Sequence, residues 1–236
     1  MPLSSAELDI LRQYDTPTVS NVIELFQVRP WTEGYMDKRI KARFPEMAPM
    51  VGYASTATFR CATPKGPESY GSLEKQVEAF EGLPGPPVVV FEDLDEPVVG
   101  ATFGEIMCTS YKAFGAQGLI TSGAGRDLDQ VRTLNFPVFT NEILCSHGYS
   151  QIPSIHVPVN VGGLIIKPGA LLHGDLNGVV LIPDAIAREV AHACESFVKA
   201  EALILDYLKG EEITPKGLHE AQMECRRLLG QIAGKK

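Results

Sequence analysis

From Val51 onward, runs rich in β-branched and aromatic residues alternate with stretches of helical periodicity. Such alternation builds an α/β domain around a largely parallel sheet, because two parallel strands can be joined only through a crossover segment. The pattern predicts strands near 51–61, 87–92, 118–122 and 137–140, and helices near 71–81, 104–114 and 127–133. Residues 153–183 change character. They are rich in glycine and valine, with Pro158, Gly162, Gly163, Pro168, Gly169, Gly174 and Gly178, which predicts several short strands joined by tight turns.

Both ends of the chain read as helical. Ser4 and Glu7 have capping-box spacing, and Thr16-Pro17 reads as a second cap with proline at the first helical position, so two short helices are expected within 5–27. Residues 28–49 contain Pro30, Gly34, Pro45, Pro49 and the only tryptophan, Trp31, and read as a long loop of the kind that forms lids or subunit contacts. Two helices close the chain. The first is expected to be capped by Asp184 and to present Ile186, Val190, Phe197, Ile204 and Leu208 on one face; the second starts at Thr214-Pro215 and presents Leu218, Met223 and Leu228. No repeat or linker interrupts the chain, which predicts one domain over 1–236: N-terminal helices and loop (1–50), α/β core (51–183) and C-terminal helices (184–236).

With 236 residues, 44% hydrophobic and 21% charged, the composition excludes disordered and fibrous classes. The net charge of −8 argues against a nucleic-acid partner, which needs a concentrated positive face. The only basic cluster is Lys38, Arg39, Lys41 and Arg43, readable as a solvated loop or as an attractor of acidic substrate. Cys61, Cys108, Cys145, Cys194 and Cys225 are odd in number and form no C-x-x-C pair, which suits reduced thiols. No signal-peptide pattern opens the sequence and no apolar run reaches the length of a membrane span, so a soluble, cytoplasmic protein is expected.

Several familiar sites are absent: G-x-x-x-x-G-K-[ST], H-E-x-x-H and a G-x-S-x-G elbow. Gly123-Ala124-Gly125 begins like a dinucleotide fingerprint, but its third glycine position is Leu128. The five histidines show no metal-ligand pairing. What remains is a pair of strand-to-helix turns, Thr102-Phe103-Gly104-Glu105 and Gly123-Ala124-Gly125-Arg126-Asp127. If their strands are parallel neighbours, both turns lie at the same carboxyl edge, where α/β sheets place their ligands. There the first-turn amides of Ile106 and Met107 suit a carboxylate, Asp127 is a hard ligand suited to magnesium, Arg126 can polarise a keto oxygen, and Glu105 can hold a water for proton transfer. The plainer alternative makes Arg126 and Asp127 a helix cap with an exposed ion pair, and Glu105 an ordinary first-turn acid.

At these residues the chain resembles the family that joins 4-hydroxy-4-methyl-2-oxoglutarate aldolases with the regulator of ribonuclease activity A proteins. The aldolase pattern of an acid, twenty residues and then Arg-Asp is matched by Glu105 and Arg126-Asp127. Gly52, Ala54 and Thr56 resemble the early G-x-A-x-T strand, and Val161-Gly162-Gly163, Lys167-Pro168-Gly169-Ala170 and Gly174 to Pro183 resemble the closing signature, so the likeness covers roughly 10–200. The chain departs from the pattern at Glu105 and Asn21, where aspartate is usual, at Gln130, where an acid is usual, and at Ala170, which replaces the aspartate of the P-G-D turn. These departures leave the substrate open.

The resemblance implies an α/β/β/α sandwich of the swivelling type, assembled as a homotrimer or homohexamer with the site at a subunit boundary. It implies Mg2+ (or Mn2+) held by Asp127, a 2-oxo acid substrate bound through Gly104, the Ile106 and Met107 amides and Arg126, and catalysis by Glu105, Arg126 and Asp127. His147, after the strand near 140, is a secondary candidate, against a loop histidine near a subunit contact. The resulting reading is a divalent-metal-dependent lyase that cleaves a carbon–carbon bond of a small 2-oxo acid by retro-aldol cleavage or decarboxylation. A non-enzymatic protein-binding regulator and another reaction on a sugar acid or hydroxy acid are the alternatives.

Overall fold

The computed structural model describes residues 2–66, 71–232 and 234; the remaining positions of the expected 1–236 domain lie outside the described residues. In chain order the elements are α1 (Ser5–Leu11), α2 (Thr16–Leu25), β1 (Lys41–Ala42), β2 (Met50–Phe59), α3 (Leu73–Glu78), β3 (Pro87–Asp93), β4 (Ala101–Phe103), α4 (Glu105–Ala113), β5 (Leu119–Gly125), α5 (Leu128–Thr133), β6 (Val138–Ile143), β7 (Val159–Val161), β8 (Leu164–Ile166), β9 (Leu171–Asp175), β10 (Gly178–Ile182), α6 (Ala187–Leu208) and α7 (Pro215–Ile232). The main sheet has the order β1-β6-β5-β3-β2-β9-β10, with β4 additionally beside β5, and β7–β8 form a separate pair. The pairings β2–β3, β3–β5, β4–β5 and β5–β6 are parallel, whereas β1, β9 and β10 join antiparallel.

The core explains this α/β sandwich. Nearly every residue of β2 is buried, as in a strand covered on both faces. Val51 and Tyr53 pack with Leu8 and Leu11 of α1, Val19 and Val22 of α2, and Val190 and Phe197 of α6. Ala57 and Phe59, further along the same face, pack with Cys108 and Tyr111 of α4 and Val131 of α5. The alternate positions Met50 and Ala54 pack with Val159, Val161 and Ile166 of β7–β8. Burial of each large apolar side chain stabilises the fold by roughly 1.5–3 kcal/mol.

The long loop 28–49 is a strap. The Met36 amide donates to Val179 O at 2.9 Å, the Leu181 amide to Gly34 O at 2.8 Å, and the Arg43 amide to Val138 O at 3.0 Å. The strap thus runs from β10 to β6 and buries Met36 and Ile40 in the cluster around β7–β8. Two of its basic residues are engaged: Arg39 pairs with Asp37 at 2.6 Å, and the Arg43 guanidinium donates to the carbonyls of Thr140 and Asn141.

Local details differ from the sequence reading where tertiary contacts take over a cap. Ser4 and Glu7 do form the capping box of α1. For α2, however, the cap is Asp15, whose carboxylate accepts from Thr18 N, because Thr16 is occupied elsewhere: its hydroxyl lies 3.0 Å from His173 Nδ1 and its amide donates to Asp175. Asp184 does not cap α6; it opens a short 3-10 turn, and α6 starts after it without a side-chain cap. Ile186, Val190 and Phe197 are buried, but Leu208 and Met223 are exposed, and Cys225 is the buried residue of α7. None of the five cysteines is disulfide-bonded, and among the described residues no helix is long and apolar enough to cross a membrane.

At the end of β3, Asp93 accepts from the Asp95 amide through Oδ1, while its buried Oδ2 has no hydrogen-bond partner among the described residues. Burial pushes its carboxyl up to about 6, against the Asp95 amide and with help from the charges of Asp95 and Glu96. A raised folded-state value means a stability contribution that is full below the unfolded value of 3.8 and lost as pH rises through about 6. Asp93→Asn removes that loss. Its melting temperature should exceed wild type increasingly from pH 4 to pH 8, by the equivalent of about 1 kcal/mol, and a pH-independent difference would show that Asp93 does not titrate in this range.

Candidate active site

The two charged turns meet because β4 and β5 are parallel neighbours, with Ala101 opposite Ala124 and Phe103 opposite Gly125. Strand β5 pairs with β3 up to Thr121 and then with β4, so it continues through Gly125 instead of ending near 122. The turn into α5 is therefore only Arg126-Asp127, and the Arg126 amide donates to Phe103 O at 3.1 Å. Both helices, α4 and α5, begin at this carboxyl edge.

Asp127 adopts φ 55°, ψ 39°, a left-handed conformation uncommon for a non-glycine residue but tolerated by aspartate. It stands at the N-cap position of α5, yet its side chain makes no capping bond there. Instead Oδ2 accepts from the Glu105 amide at 3.1 Å, across to the start of α4, with Arg126 Nε 3.7 Å away. Asp127 thus caps the start of α4 instead of its own helix, and the ion pair with Arg126 that the plainer reading expects is present. Gly104 makes it possible: a Cβ there would lie 2.5 Å from Asp127 Oδ2 and 3.1 Å from Arg126 Nε. Its φ of −153° is ordinary extended backbone, so the glycine serves close approach and not a turn.

The first intrahelical bond of α4 runs from the Cys108 amide to Gly104 O at 3.1 Å. Asp127 takes the Glu105 amide, and the amides of Ile106 and Met107 follow it in the first turn ahead of the first intrahelical bond, as donors at the positive end of the helix. Together Ala101 to Met107, Arg126, Asp127, His147 and Ser150 line one cleft of about 310 Å³. All the sequence-derived candidates, Gly104, Glu105, Ile106, Met107, Arg126, Asp127 and His147, thus border the same space. Ser150 is the lining residue the sequence reading missed, since a single loop serine carries no spacing signal. The Glu105 carboxylate is exposed, the Arg126 and Asp127 side chains are about a third exposed, and Cys108 beneath them is fully buried, its thiol pushed up by burial and by the charge of Asp127. The arrangement offers a cation, two carboxylates and free amide donors around a half-open space, a set that can hold and polarise a small organic anion.

A family model, RraA-like (Aldolase/RraA), matches residues 16–181. A protein of Halalkalibacterium halodurans named "Putative 4-hydroxy-4-methyl-2-oxoglutarate aldolase" is 33% identical over 105 residues, 44% of this chain and 49% of the relative. A protein of the same name from Ectopseudomonas mendocina is 27% identical over 155 residues, 61% of this chain and 91% of the relative. The chain thus spans about half the length of the first of these relatives. In fold it is similar to an uncharacterized protein from Pseudomonas syringae pv. tomato (TM-score 0.74, 23% identity, 94% of this chain and 95% of the other). It is also similar to RraAS2 of Streptomyces coelicolor, described as an unusual member of the RNase ES inhibitor RraA family (TM-score 0.68, 21% identity, 86% and 96%). With the family model covering well over half of the sequence, the chain belongs to the RraA-like (Aldolase/RraA) family.

Proposed function

We propose that this protein is a divalent-metal-dependent lyase that breaks a carbon–carbon bond of a small 2-oxo acid to release pyruvate, by retro-aldol cleavage, by decarboxylation of an oxaloacetate-type acid, or both. The observation that carries the reading is the bond from the Glu105 amide to Asp127 Oδ2, which brings a carboxylate, a guanidinium and the first turn of α4 to one cleft. The names of the aldolase relatives support the same chemistry.

The donor set bears on the metal. Among the described residues no group of three or more His, Cys, Asp or Glu side chains could cage an ion. Asp127 and Glu105 offer only hard oxygens, which suits Mg2+ or Mn2+, ions that keep several waters and need one or two carboxylates. Asp127 is the residue that would hold the ion, and the ion when bound supplies Lewis-acid stabilisation of the negative charge that develops on the substrate's 2-oxo oxygen.

The chain's own groups do the rest. The Ile106 and Met107 amides receive the substrate carboxylate at the positive end of α4, and Gly104 leaves room for it. Arg126 donates to the 2-oxo oxygen as charge builds there during bond cleavage. Glu105 holds the water that protonates C3 of the enolate to give pyruvate. Exposed Ile106 (79%), Ile143 (52%) and Tyr149 (56%) supply apolar surface near the cleft for a homotrimer or homohexamer to cover.

The test is pyruvate release from oxaloacetate and from 4-hydroxy-4-methyl-2-oxoglutarate, with and without Mg2+. Metal-dependent release is expected from at least one compound, and release from neither would move the assignment to a protein-binding regulator or another reaction. Asp127→Ala should lose about 100-fold or more in kcat/KM while its melting temperature stays within a few degrees of wild type; unchanged turnover removes Asp127 from the site. Arg126→Lys should lose roughly 10-fold or more, because an ammonium cannot reproduce the planar fork, and a wild-type rate refutes the polarising role. Gly104→Ala, whose Cβ would displace the Asp127 carboxylate, should lose activity with a stability change of only about 1 kcal/mol; full activity would show that this close approach is not needed.

A further inference from the structure

We propose that His147 is the catalytic base that takes the proton from the C4 hydroxyl of a 4-hydroxy-2-oxo acid as its C3–C4 bond breaks, an assignment that rests on the lyase reading above.

His147 is held in place by the chain on either side of it. The Ala101 amide at the start of β4 donates to Ser146 O at 2.7 Å, the Tyr149 amide to Cys61 O at 3.0 Å, and the Gln151 amide to Arg60 O at 2.8 Å. Gly148 has φ +51°, and a Cβ there would lie 2.6 Å from Cys61 O, so only glycine lets the loop press this closely on residue 61. The loop thereby contributes His147 and Ser150 to the lining of the cleft that Glu105, Arg126 and Asp127 border.

The ring has a defined polarity. His147 Nδ1 lies 2.8 Å from Gly148 O, and a carbonyl oxygen can only accept, so Nδ1 carries the hydrogen. In the neutral ring Nε2 is then the basic nitrogen, the arrangement by which a backbone carbonyl orients a general base. No other hydrogen bond engages the ring among the described residues.

Retro-aldol cleavage requires two proton movements at different atoms. One proton leaves the C4 hydroxyl: Nε2 accepts it, the O–H pair becomes the C=O of the departing carbonyl fragment, and the C3–C4 pair becomes the C2–C3 double bond of the enolate. The other proton arrives at C3, which is the task given to Glu105 and its water. With Asp127 committed to the metal and Glu105 to its water, His147 is the remaining imidazole or carboxylate side chain among the residues that line the cleft. Decarboxylation of oxaloacetate forms the same enolate by losing CO2 and has no hydroxyl proton to remove.

That asymmetry supplies the experiment. Wild type, His147→Gln and His147→Ala are assayed with Mg2+ on 4-hydroxy-4-methyl-2-oxoglutarate and on oxaloacetate, and the ratio of the two kcat values is read. The ratio should fall about 100-fold in both variants, within the usual range for loss of a general base. Added imidazole should restore part of the cleavage by His147→Ala. An unchanged ratio, or equal losses on both substrates, overturns the assignment and makes His147 a structural or binding residue. A wild type that decarboxylates but does not cleave overturns it as well while leaving the enolate chemistry intact, whereas a wild type that acts on neither compound overturns the lyase reading itself.

Discussion

Two parallel strands cannot be closed by a tight turn, and that constraint shapes the region of the chain that matters most. Each of β4 and β5 must be followed by a helix before the chain can return, so the turns that leave them open at the same sheet edge. The edge therefore collects the N-termini of α4 and α5 and the residues immediately before them. Sheet and helices are fastened by apolar contacts on both faces, among them Phe59, Phe91 and Tyr111 with their rings 5.9 to 6.4 Å apart. A scaffold buried in this way gives the exposed groups at its edge little freedom to drift.

At that edge the decisive feature is the exchange of a local contact for a distant one. Asp127 occupies the capping position of its own helix, yet its carboxylate accepts from the first residue of the other helix. A single bond thus ties the two turns together, with Gly104 leaving the space for it. The left-handed backbone at Asp127 costs of order 1 kcal/mol or more and persists because the surrounding ladder over-determines it.

The fold was largely legible in the sequence. Hydrophobic alternation marked β2, β3, β5 and β6 and the intervening helices to within a few residues, since period and burial are local properties. The boundary of β5 was not, because the ladder that carries it from Thr121 to Gly125 comes from β4, a partner far shorter than a strand that announces itself. Nor were the caps of α2 and α6. Thr16 is a good cap by type, but His173 and Asp175, about 160 residues away, claim its hydroxyl and amide. The segment 28–49 read as a long loop suited to a lid or subunit contact, and not as a strap, because its apolar residues, Met36, Ile40 and Phe44, are isolated in sequence and meet their partners only across the sheet.

The candidate site divides along the same line. Residue types and spacing brought Glu105, Arg126 and Asp127 together at paired helix starts but left a plain helix cap equally open, and the roles given to them came from the resemblance to the family. The tertiary structure alone decided that Asp127 faces α4 and not α5, that Ser150 joins the cleft, and that the His147 ring turns Nδ1 toward Gly148 O. Those outcomes depend on backbone direction at single turns and on contacts between segments distant in sequence. A local pattern carries no information about either, since the same residues satisfy it whichever way the side chains turn.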